Sequence, residues 1–280
     1  MINPKVLISI ATYKEAQNLK DLIHEIRLYE KKTDILIIND NSNDNTDKII
    51  KEINDENLFF LERPKKLGLG TAHKLSIFYA IKFHYDFLLT MDADFSHDPK
   101  HIPELLKHAK KNTFVIGSRF CQGGKSDYKG LRKIVSKLGN LVANNLLNIG
   151  LKEITTYFRV YDVDLLKKLP FDELNASGYS LGVKIVWYMK KLRASLIETP
   201  IHFKDRNKGE SKIPKLQIFI SSFDLFNIKI KDLFKKKLFK EINNTFNFDI
   251  VCNQCNNSFS SLIKNNKYTC LICLNEKKEE

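Results

Sequence analysis

The sequence up to Gly117 alternates between two hydrophobic periods, and this alternation restricts the possible folds more than any other feature. Five short apolar runs predict buried strands: Lys5–Ala11, Asp34–Asn39, Leu58–Leu61, Asp86–Met91 and Thr113–Gly117. Between them, apolar residues recur at helical spacing in four segments: Glu15–Tyr29, Asn43–Ile53, Thr71–His84 and Pro99–Lys111. Apolar strands that alternate with amphipathic helices indicate an α/β fold with a mostly parallel central sheet, covered on both faces.

The pattern is less regular after Gly117, and it divides the chain into three predicted parts. Helices are predicted over Arg132–Leu147, Asp162–Lys168 and Ser180–Lys191, and strands over Phe158–Tyr161 and Ser195–Pro200. We expect an α/β domain over residues 1–212, a basic amphipathic helix and linker over 213–245, and a small domain over 246–280.

The charge of the chain indicates an anionic partner. Its 280 residues carry a formal net charge of +13. The segment Lys204–Lys240 has eleven basic and four acidic residues, a net charge of +7. Nucleic acid, a phosphate-bearing substrate and an acidic membrane surface all fit such a balance. No secretory signal is visible and no apolar stretch is long enough to span a bilayer, so a cytoplasmic location is expected.

The polar residues that follow the predicted strands are where a ligand site is expected, because ligands of open α/β sheets bind at the carboxyl ends of the strands. Asp92-Ala93-Asp94 gives the sharpest signal, since two carboxylates on a turn can face one hard cation. A helix cap plus a solvated Asp is the alternative. Gly68-Leu69-Gly70 suggests a dinucleotide fingerprint, but His73 stands in place of its third glycine.

Basic residues near these strand ends favour phosphate binding. Arg119 follows the fifth strand, Arg132 opens a helix with Ser136 one turn on, and Arg206 and Lys212 share a polar loop. Arginine binds phosphate through a planar fork and lysine binds it as a point charge. A solvated basic surface is the alternative for any single lysine. No His or Cys is assigned to the site.

These motifs, in this order, resemble those of the dolichyl/polyprenyl-phosphate mannose synthases, which are family 2 glycosyltransferases of the GT-A fold. The resemblance covers roughly residues 3–215. It is carried by Tyr13-x-Glu15, Asn39-Asp40-Asn41-Ser42-x-Asp44-x-Thr46, Gly68-Leu69-Gly70-Thr71-Ala72, Met91-Asp92-Ala93-Asp94-Phe95-Ser96-His97, Gly117-Ser118-Arg119, Arg132-x-x-x-Ser136 and Asp205-Arg206-x-x-Gly209-Glu210-Ser211-Lys212.

The resemblance implies an inverting transfer of mannose from GDP-mannose to a polyprenyl or dolichyl phosphate at the cytoplasmic membrane face. It also implies the residue roles. The residues implied to bind the nucleotide sugar are Tyr13, Glu15, Asp40, Arg206 and Lys212. Those implied to bind the acceptor phosphate are Arg119, Arg132 and Ser136. Those implied to bind Mg²⁺ or Mn²⁺ are Asp92, Asp94 and Ser96. Asp92, Asp94, Arg119 and Arg132 are thereby the implied catalytic residues.

The chain departs from the family pattern at five positions, and other functions stay open. The departures are Ala11, Lys14, Asn39, Tyr157, where the family has glycine, and Lys184, where it often has an acid. The alternatives are a UDP-sugar donor, a non-lipid acceptor, a binding protein without turnover, and nucleic-acid binding through the tail and the lysine-rich linker.

Four cysteines near the end of the chain predict a structural metal site. Cys252 and Cys255 form one pair, and Cys270 and Cys273 form a second pair fourteen residues later. This spacing fits two knuckles that close one tetrahedral Zn²⁺ site. A module so short needs the metal to fold. We expect a zinc ribbon that contacts a protein partner or the membrane rather than a catalytic centre.

The segment Ile213–Phe239 places Phe and Ile near helical spacing with lysines between them. A helix that packs on the core is one interpretation. The other is a helix in the interface of an anionic membrane, which would bring the site to a lipid acceptor without a membrane span.

Overall fold

The computed structural model describes residues 4–171, 174, 179–205, 250–251 and 258–259, with only the backbone of Arg132, Tyr179 and residues 250–251 and 258–259. The predicted α/β fold is confirmed. The main sheet has seven strands: β1 (Val6–Thr12), β2 (Asp34–Asn39), β3 (Leu58–Glu62), β4 (Phe87–Asp92), β5 (Thr113–Ser118), β7 (Arg159–Asp162) and β8 (Ser195–Pro200). Their order across the sheet is β3-β2-β1-β4-β7-β5-β8.

Helices connect these strands at nearly all the positions predicted from the sequence. A short 3-10 helix over Pro99–His101 leads into the α-helix Ile102–Lys107, so the predicted segment Pro99–Lys111 is divided and ends earlier. The α-helices are α1 (Ala16–Tyr29), α2 (Thr46–Glu52), α3 (Leu69–Lys82), α4 (Ile102–Lys107), α5 (Gly130–Leu147), α6 (Val163–Leu166) and α7 (Tyr179–Lys191).

Apolar side chains cover both faces of the sheet, which explains why its strands are continuous apolar runs. In β1, Leu7 packs into the cluster that includes α3 and α7, while Ile8 packs into the cluster that includes α1 and α4. All of Leu7, Ile8 and Ile10 are fully buried. The alternation of strand side chains between two covered faces therefore accounts for the sequence pattern.

One strand of the main sheet runs against its neighbours. β7 pairs antiparallel with both β4 and β5, whereas the other strand pairs are parallel. The chain therefore enters β7 at the edge where β4 and β5 end. The segment Glu153–Phe158, which precedes β7, arrives at the carboxyl edge of the sheet beside the residues that follow those two strands.

Two small sheets were not predicted from the sequence. β6 (Lys125–Ser126) pairs with β9 (His202–Phe203). This pairing places the segment around residue 203 close to the start of α5. β10 (Ile250–Val251) pairs antiparallel with β11 (Ser258–Phe259). Segments of two residues carry too little hydrophobic pattern to be recognised as strands.

Within the described residues, no helix is both long and apolar enough to cross a bilayer. The predicted amphipathic helix Ile213–Phe239 and the rest of the predicted tail, apart from β10 and β11, lie outside these residues.

Candidate active site

The paired carboxylates lie on a turn at the end of a central strand. Asp92 closes β4, and its side chain is about one-third exposed. Asp94 is buried, and its Oδ1 atom accepts a hydrogen bond of 3.1 Å from the backbone N–H of Ser96. Ser96 is also buried. The turn therefore brings two carboxylates and one hydroxyl to the carboxyl edge of the sheet, as predicted from their position after a strand.

His97 fixes this turn, although the sequence interpretation assigned no histidine to the site. The backbone N–H of Asp92 donates to His97 Nδ1 at 2.9 Å, and His97 Nε2 lies 2.9 Å from Thr156 Oγ1. Burial lowers the pKa of His97 to about 3, so the ring is neutral at pH 7. With Nδ1 accepting, the proton is on Nε2 and is donated to Thr156. His97 thus connects the Asp92 turn to the segment before β7.

Glu153 is a second residue that the sequence interpretation missed, and it is the partner of Arg119. The Arg119 Nε–H donates to Glu153 Oε2 at 2.6 Å, in a pair that is almost wholly buried. The second carboxylate oxygen accepts from the Thr155 and Thr156 backbone and from the Thr155 hydroxyl. Burial alone would raise the pKa of Glu153, but the Arg119 charge and these hydrogen bonds hold it below its ordinary value.

The guanidinium of Arg119 is oriented by more than its charge partner. One terminal nitrogen donates to Thr155 Oγ1 at 2.9 Å. The guanidinium carbon lies 4.8 Å from the ring centroid of Phe203 and 5.0 Å from that of Phe120. Aromatic faces and a hydroxyl therefore fix the plane of the group. Arg119 is placed after the fifth strand as predicted, but it is held far more tightly than a solvated basic residue would be.

The loop that follows Arg119 turns back on itself. Gly124 N–H donates to Cys121 O at 3.0 Å. A Cβ atom at position 124 would lie 2.5 Å from the carbonyl oxygen of Ser118 and 2.8 Å from the carbonyl carbon of Arg119. Only glycine permits this close approach of two backbone segments.

Helix α5 packs against the segment that holds Arg119. Asn140 is buried, and its amide group accepts from Ile154 N at 2.8 Å and donates to Thr155 Oγ1 at 3.2 Å. The predicted acceptor residues Arg132 and Ser136 both lie on this helix, and Ser136 is half-buried. The three predicted acceptor-phosphate residues therefore belong to one connected part of the molecule.

The predicted nucleotide residues occupy the loop after β1. The Tyr13 ring lies 4.1 Å from the ammonium nitrogen of Lys66. Glu15 is buried and accepts from Asn18 at 2.7 Å. The backbone N–H of Lys14 donates to Ser42 at 2.8 Å, which joins this loop to the one after β2.

Asp40 is engaged within the protein. Its carboxylate forms a buried ion pair with Arg63 and accepts from the backbone N–H groups of Leu67 and Gly68, each at 2.7 Å. Arg63 also donates to Thr71 at 2.8 Å. These contacts hold the start of α3 against the end of β2. Arg63 was not predicted, and a role for Asp40 in binding the ribose stays a prediction.

The departure at Tyr157 is accommodated by packing. The Tyr157 ring is buried and stacks on His73, with 3.8 Å between ring centroids and 5° between planes. A Cβ atom on Gly182 of α7 would lie 2.9 Å from Tyr157 Cζ. The absence of a side chain at Gly182 therefore makes room for the tyrosine. Lys184, which also departs from the family pattern, is half-buried on α7.

Several predicted site residues lie outside the described part of the chain. They are the donor-closing pair, Arg206 and Lys212, and the four predicted zinc ligands, Cys252, Cys255, Cys270 and Cys273.

The composition of the Asp92 turn fits a hard divalent cation. Both carboxylates and the Ser96 hydroxyl supply oxygen, the donor that Mg²⁺ and Mn²⁺ prefer. Among the described residues no group of three or more His, Cys, Asp or Glu side chains is arranged to hold a metal. A cation with two protein carboxylates takes its remaining ligands from substrate phosphates and water. The turn therefore fits a metal that binds together with a nucleoside diphosphate.

Comparison with known sequences identifies relatives over most of the chain. Residues 7–170 match the sequence profile of glycosyl transferase family 2. The chain is 33% identical over 212 residues to undecaprenyl-phosphate mannosyltransferase from Micrococcus luteus. The aligned region covers 75% of this chain and 87% of that protein. The chain is also 29% identical over 214 residues to polyprenol monophosphomannose synthase from Mycolicibacterium smegmatis. That alignment covers 75% of this chain and 81% of that protein.

Solved structures share the fold at low sequence identity. Glucosyl-3-phosphoglycerate synthase from Mycobacterium tuberculosis, solved with Mn²⁺, UDP and glucosyl-3-phosphoglycerate, aligns with a TM-score of 0.57 and 15% identity. The alignment covers 82% of this chain and 80% of that one. Mannosyl-3-phosphoglycerate synthase from Rubrobacter xylanophilus aligns with a TM-score of 0.58 and 15% identity, over 86% and 78% of the two chains. These likenesses support the GT-A type of α/β fold.

The buried Arg119–Glu153 pair is expected to contribute to the stability of the fold. Glu153→Gln should lower the free energy of unfolding at pH 7 by about 3–5 kcal/mol, because Arg119 is left buried without its counter-charge. Since the folded pKa of Glu153 is lowered, the pair contributes fully above the ordinary value of 4.5 and loses its contribution as pH falls below it. Denaturant unfolding at several pH values measures both effects.

The control for this measurement is Glu104→Gln, because Glu104 is exposed on α4. That variant should match the wild type within a few tenths of a kcal/mol. If Glu153→Gln and Glu104→Gln had equal effects at pH 7, the structural importance of the pair would be refuted.

Proposed function

Because the chain belongs to glycosyl transferase family 2, we propose that it transfers mannose from GDP-mannose to a polyprenyl phosphate. The chain is a glycosyltransferase, and its two relatives named above are an undecaprenyl-phosphate mannosyltransferase and a polyprenol monophosphomannose synthase. The observation that carries the proposal is the connection between the Asp92 turn and Arg119. His97 and Thr156 join the turn to the segment in which Glu153 holds Arg119.

The proposed reaction is a single displacement at the anomeric carbon of the sugar. An oxygen of the lipid phosphate forms the new bond to that carbon while the bond to the nucleoside diphosphate breaks, and the leaving diphosphate takes the electron pair. The transition state has oxocarbenium character. One displacement inverts the anomeric centre.

The acceptor is already ionised at neutral pH, so it needs positioning rather than a general base. Arg119, with its plane fixed by Glu153 and Phe203, would present its guanidinium to the phosphate, and Arg132 and Ser136 on α5 would complete the cradle. Such orientation lowers the barrier because the reacting groups meet in a productive geometry. The tight hold on Arg119 keeps the cation in place before the acceptor arrives.

The donor diphosphate would lie against Asp92 and Asp94, with Ser96 beside them. A divalent cation bound there supplies Lewis-acid stabilisation of the charge that develops on the leaving diphosphate. The chain's own contribution is to hold both carboxylates in a turn that His97 has already shaped. Tyr13, Glu15 and Asp40 would bind the nucleoside, with Arg206 and Lys212 closing over the diphosphate.

A donor screen tests the proposed function. GDP- and UDP-sugars are each incubated with a short water-soluble prenyl phosphate in the presence of Mg²⁺ or Mn²⁺, and glycosylated lipid is detected by mass spectrometry. We expect product from GDP-mannose and none when the cation is chelated. Product from UDP-sugars alone would replace GDP-mannose with the alternative donor class. If no nucleotide sugar gave product, a binding protein without turnover would be the correct interpretation.

The paired carboxylates make a sharper prediction. Asp92→Asn and Asp94→Asn should each reduce transfer by at least about 100-fold, because removing a charge from the cation site removes stabilisation of the leaving group. Asparagine keeps an acceptor oxygen, so the turn and the melting temperature should be retained. Asp21→Asn, at an exposed position on α1, is the matched control and should transfer normally. Undiminished turnover in both site variants would remove these residues from the mechanism.

The cysteine-rich tail is proposed to bind one zinc ion per chain through Cys252, Cys255, Cys270 and Cys273. Metal analysis of the full-length protein after metal-replete growth should find one equivalent, and Cys252→Ser should lose it. Cys121→Ser is the matched control, because Cys121 belongs to neither pair. A chain without zinc would contradict the site. Deletion of Phe246–Glu280 should leave some activity, since the proposed catalytic residues all precede it.

A further inference from the structure

Phe203 contacts both halves of the candidate site. Its ring centroid lies 4.8 Å from the guanidinium carbon of Arg119 and 5.4 Å from the ring centroid of His97, whose plane it meets at 76°. The side chain is buried, and the ring of Tyr128 packs against it with 5.3 Å between centroids. Phe203 therefore borders the arginine that follows β5 as well as the histidine that holds the Asp92 turn. The position of this ring depends on what holds β9 in place.

Backbone pairing alone gives β9 a weak hold. β6 and β9 pair over two residues each, and even an isolated hairpin of normal length is only marginally stable in water. The backbone N–H of His202 donates to His101 Nε2 at 3.1 Å. The backbone N–H of Lys204 donates to Ser96 O at 3.3 Å, which is longer than usual. Side-chain contacts are therefore expected to contribute to holding the strand.

Two polar side chains flank Phe203 and extend from the opposite face of the extended chain, since successive side chains of a strand alternate in direction. Lys204 Nζ lies 2.8 Å from Asp98 Oδ2. His202 Nε2 lies 2.6 Å from Asp127 Oδ1. Asp127 is exposed, and exposed pairs contribute little because water screens them. Asp98 is buried, so its ion pair with Lys204 is the stronger anchor of β9.

We propose that Asp98 and Lys204 are positioning residues for the acceptor phosphate, provided that the proposed function holds. Their ion pair fixes β9, β9 seats the ring of Phe203, and the ring fixes the plane of the Arg119 guanidinium. The plane matters because a guanidinium binds two phosphate oxygens at once only when its planar fork faces them. Neither residue of the ion pair needs to touch the substrate, because both act through Phe203.

A purely local role for Asp98 is the alternative. Its Oδ1 atom accepts from Lys100 N at 3.1 Å, which caps the 3-10 helix, and Lys100 Nζ lies 3.0 Å from Oδ2. Lys100 and Lys204 thus share one carboxylate, and their side chains are similarly exposed, at 45% and 41%. Lys204 directly follows β9, whereas Lys100 belongs to the 3-10 helix. The chain therefore supplies a matched control for the proposal.

Steady-state kinetics of Lys204→Met and Lys100→Met in the full-length chain separate the two roles. Methionine approximates the length of the side chain and removes its charge. Lys204→Met should raise KM for a short water-soluble prenyl phosphate about fivefold, the factor expected from the loss of one cation–π contact, and leave KM for the nucleotide sugar unchanged. Lys100→Met should change neither value. Lys204→Arg should restore the wild-type KM, because arginine can also donate to Asp98.

Hydrogen exchange gives a measurement that does not depend on activity. The backbone N–H of Asp127 donates to Phe203 O at 3.0 Å, so its exchange reports whether β9 is in place. Lys204→Met should speed exchange at Asp127 about tenfold, because the local opening of β9 becomes easier. Lys100→Met should leave exchange unchanged. Equal exchange in the wild type and Lys204→Met would show that the ion pair does not hold β9, and the proposal would be wrong.

The kinetic results can also overturn the proposal. Faster exchange at Asp127 in Lys204→Met, together with an unchanged KM for the prenyl phosphate, would mean that the ion pair is structural only. Equal rises in KM for both substrates, or equal effects of Lys204→Met and Lys100→Met, would remove the specific link to Arg119. If the wild type glycosylated no prenyl phosphate, the proposed function and the role in acceptor binding would both fail. Exchange at Asp127 would still show whether the ion pair holds β9.

Discussion

The buried carboxylate of Glu153 is the interaction on which the arrangement of the site depends. One oxygen receives Arg119, and the other receives the backbone and hydroxyl of Thr155 and the backbone of Thr156. Thr156 in turn contacts His97, which holds the Asp92 turn. A buried charge is tolerated only when its oxygens are satisfied in this way. The Arg119 guanidinium and the carboxylates of the Asp92 turn are therefore positioned by one polar network.

Much of the fold could be predicted because the sheet is covered on both faces. Strands such as Asp34–Asn39 are then continuous apolar runs, and helices such as α1 show a clear apolar side. The Asp92 turn and Arg119 were also predictable, since both follow strands that run parallel. Polar residues directly after apolar strands stand out in the sequence, and the structure adds that Arg119 and Asp94 are buried and hydrogen-bonded there.

The sequence pattern did not reveal the residues that hold the site in place, namely Glu153, His97 and Arg63, for a geometric reason. Glu153 precedes a strand instead of following one, and it reaches the site only because β7 runs antiparallel between β4 and β5. Strand direction inside a mixed sheet is a long-range property that a local pattern does not contain. His97 and Arg63 are likewise polar residues whose buried partners are distant in sequence, Thr156 for one and Asp40 for the other. The Glu-x-Thr-Thr spacing before the strand was the one available signal.

The close approach at Gly124 determines which substitutions the loop after Arg119 can accept. The loop after Arg119 has no room for a single extra carbon atom at that position, because the carbonyl groups of Ser118 and Arg119 occupy the space. Gln122, by contrast, is exposed on the same loop. A change of side chain at an outward position such as Gln122 would therefore leave the path of the loop intact, whereas any side chain at position 124 would force the backbone to move.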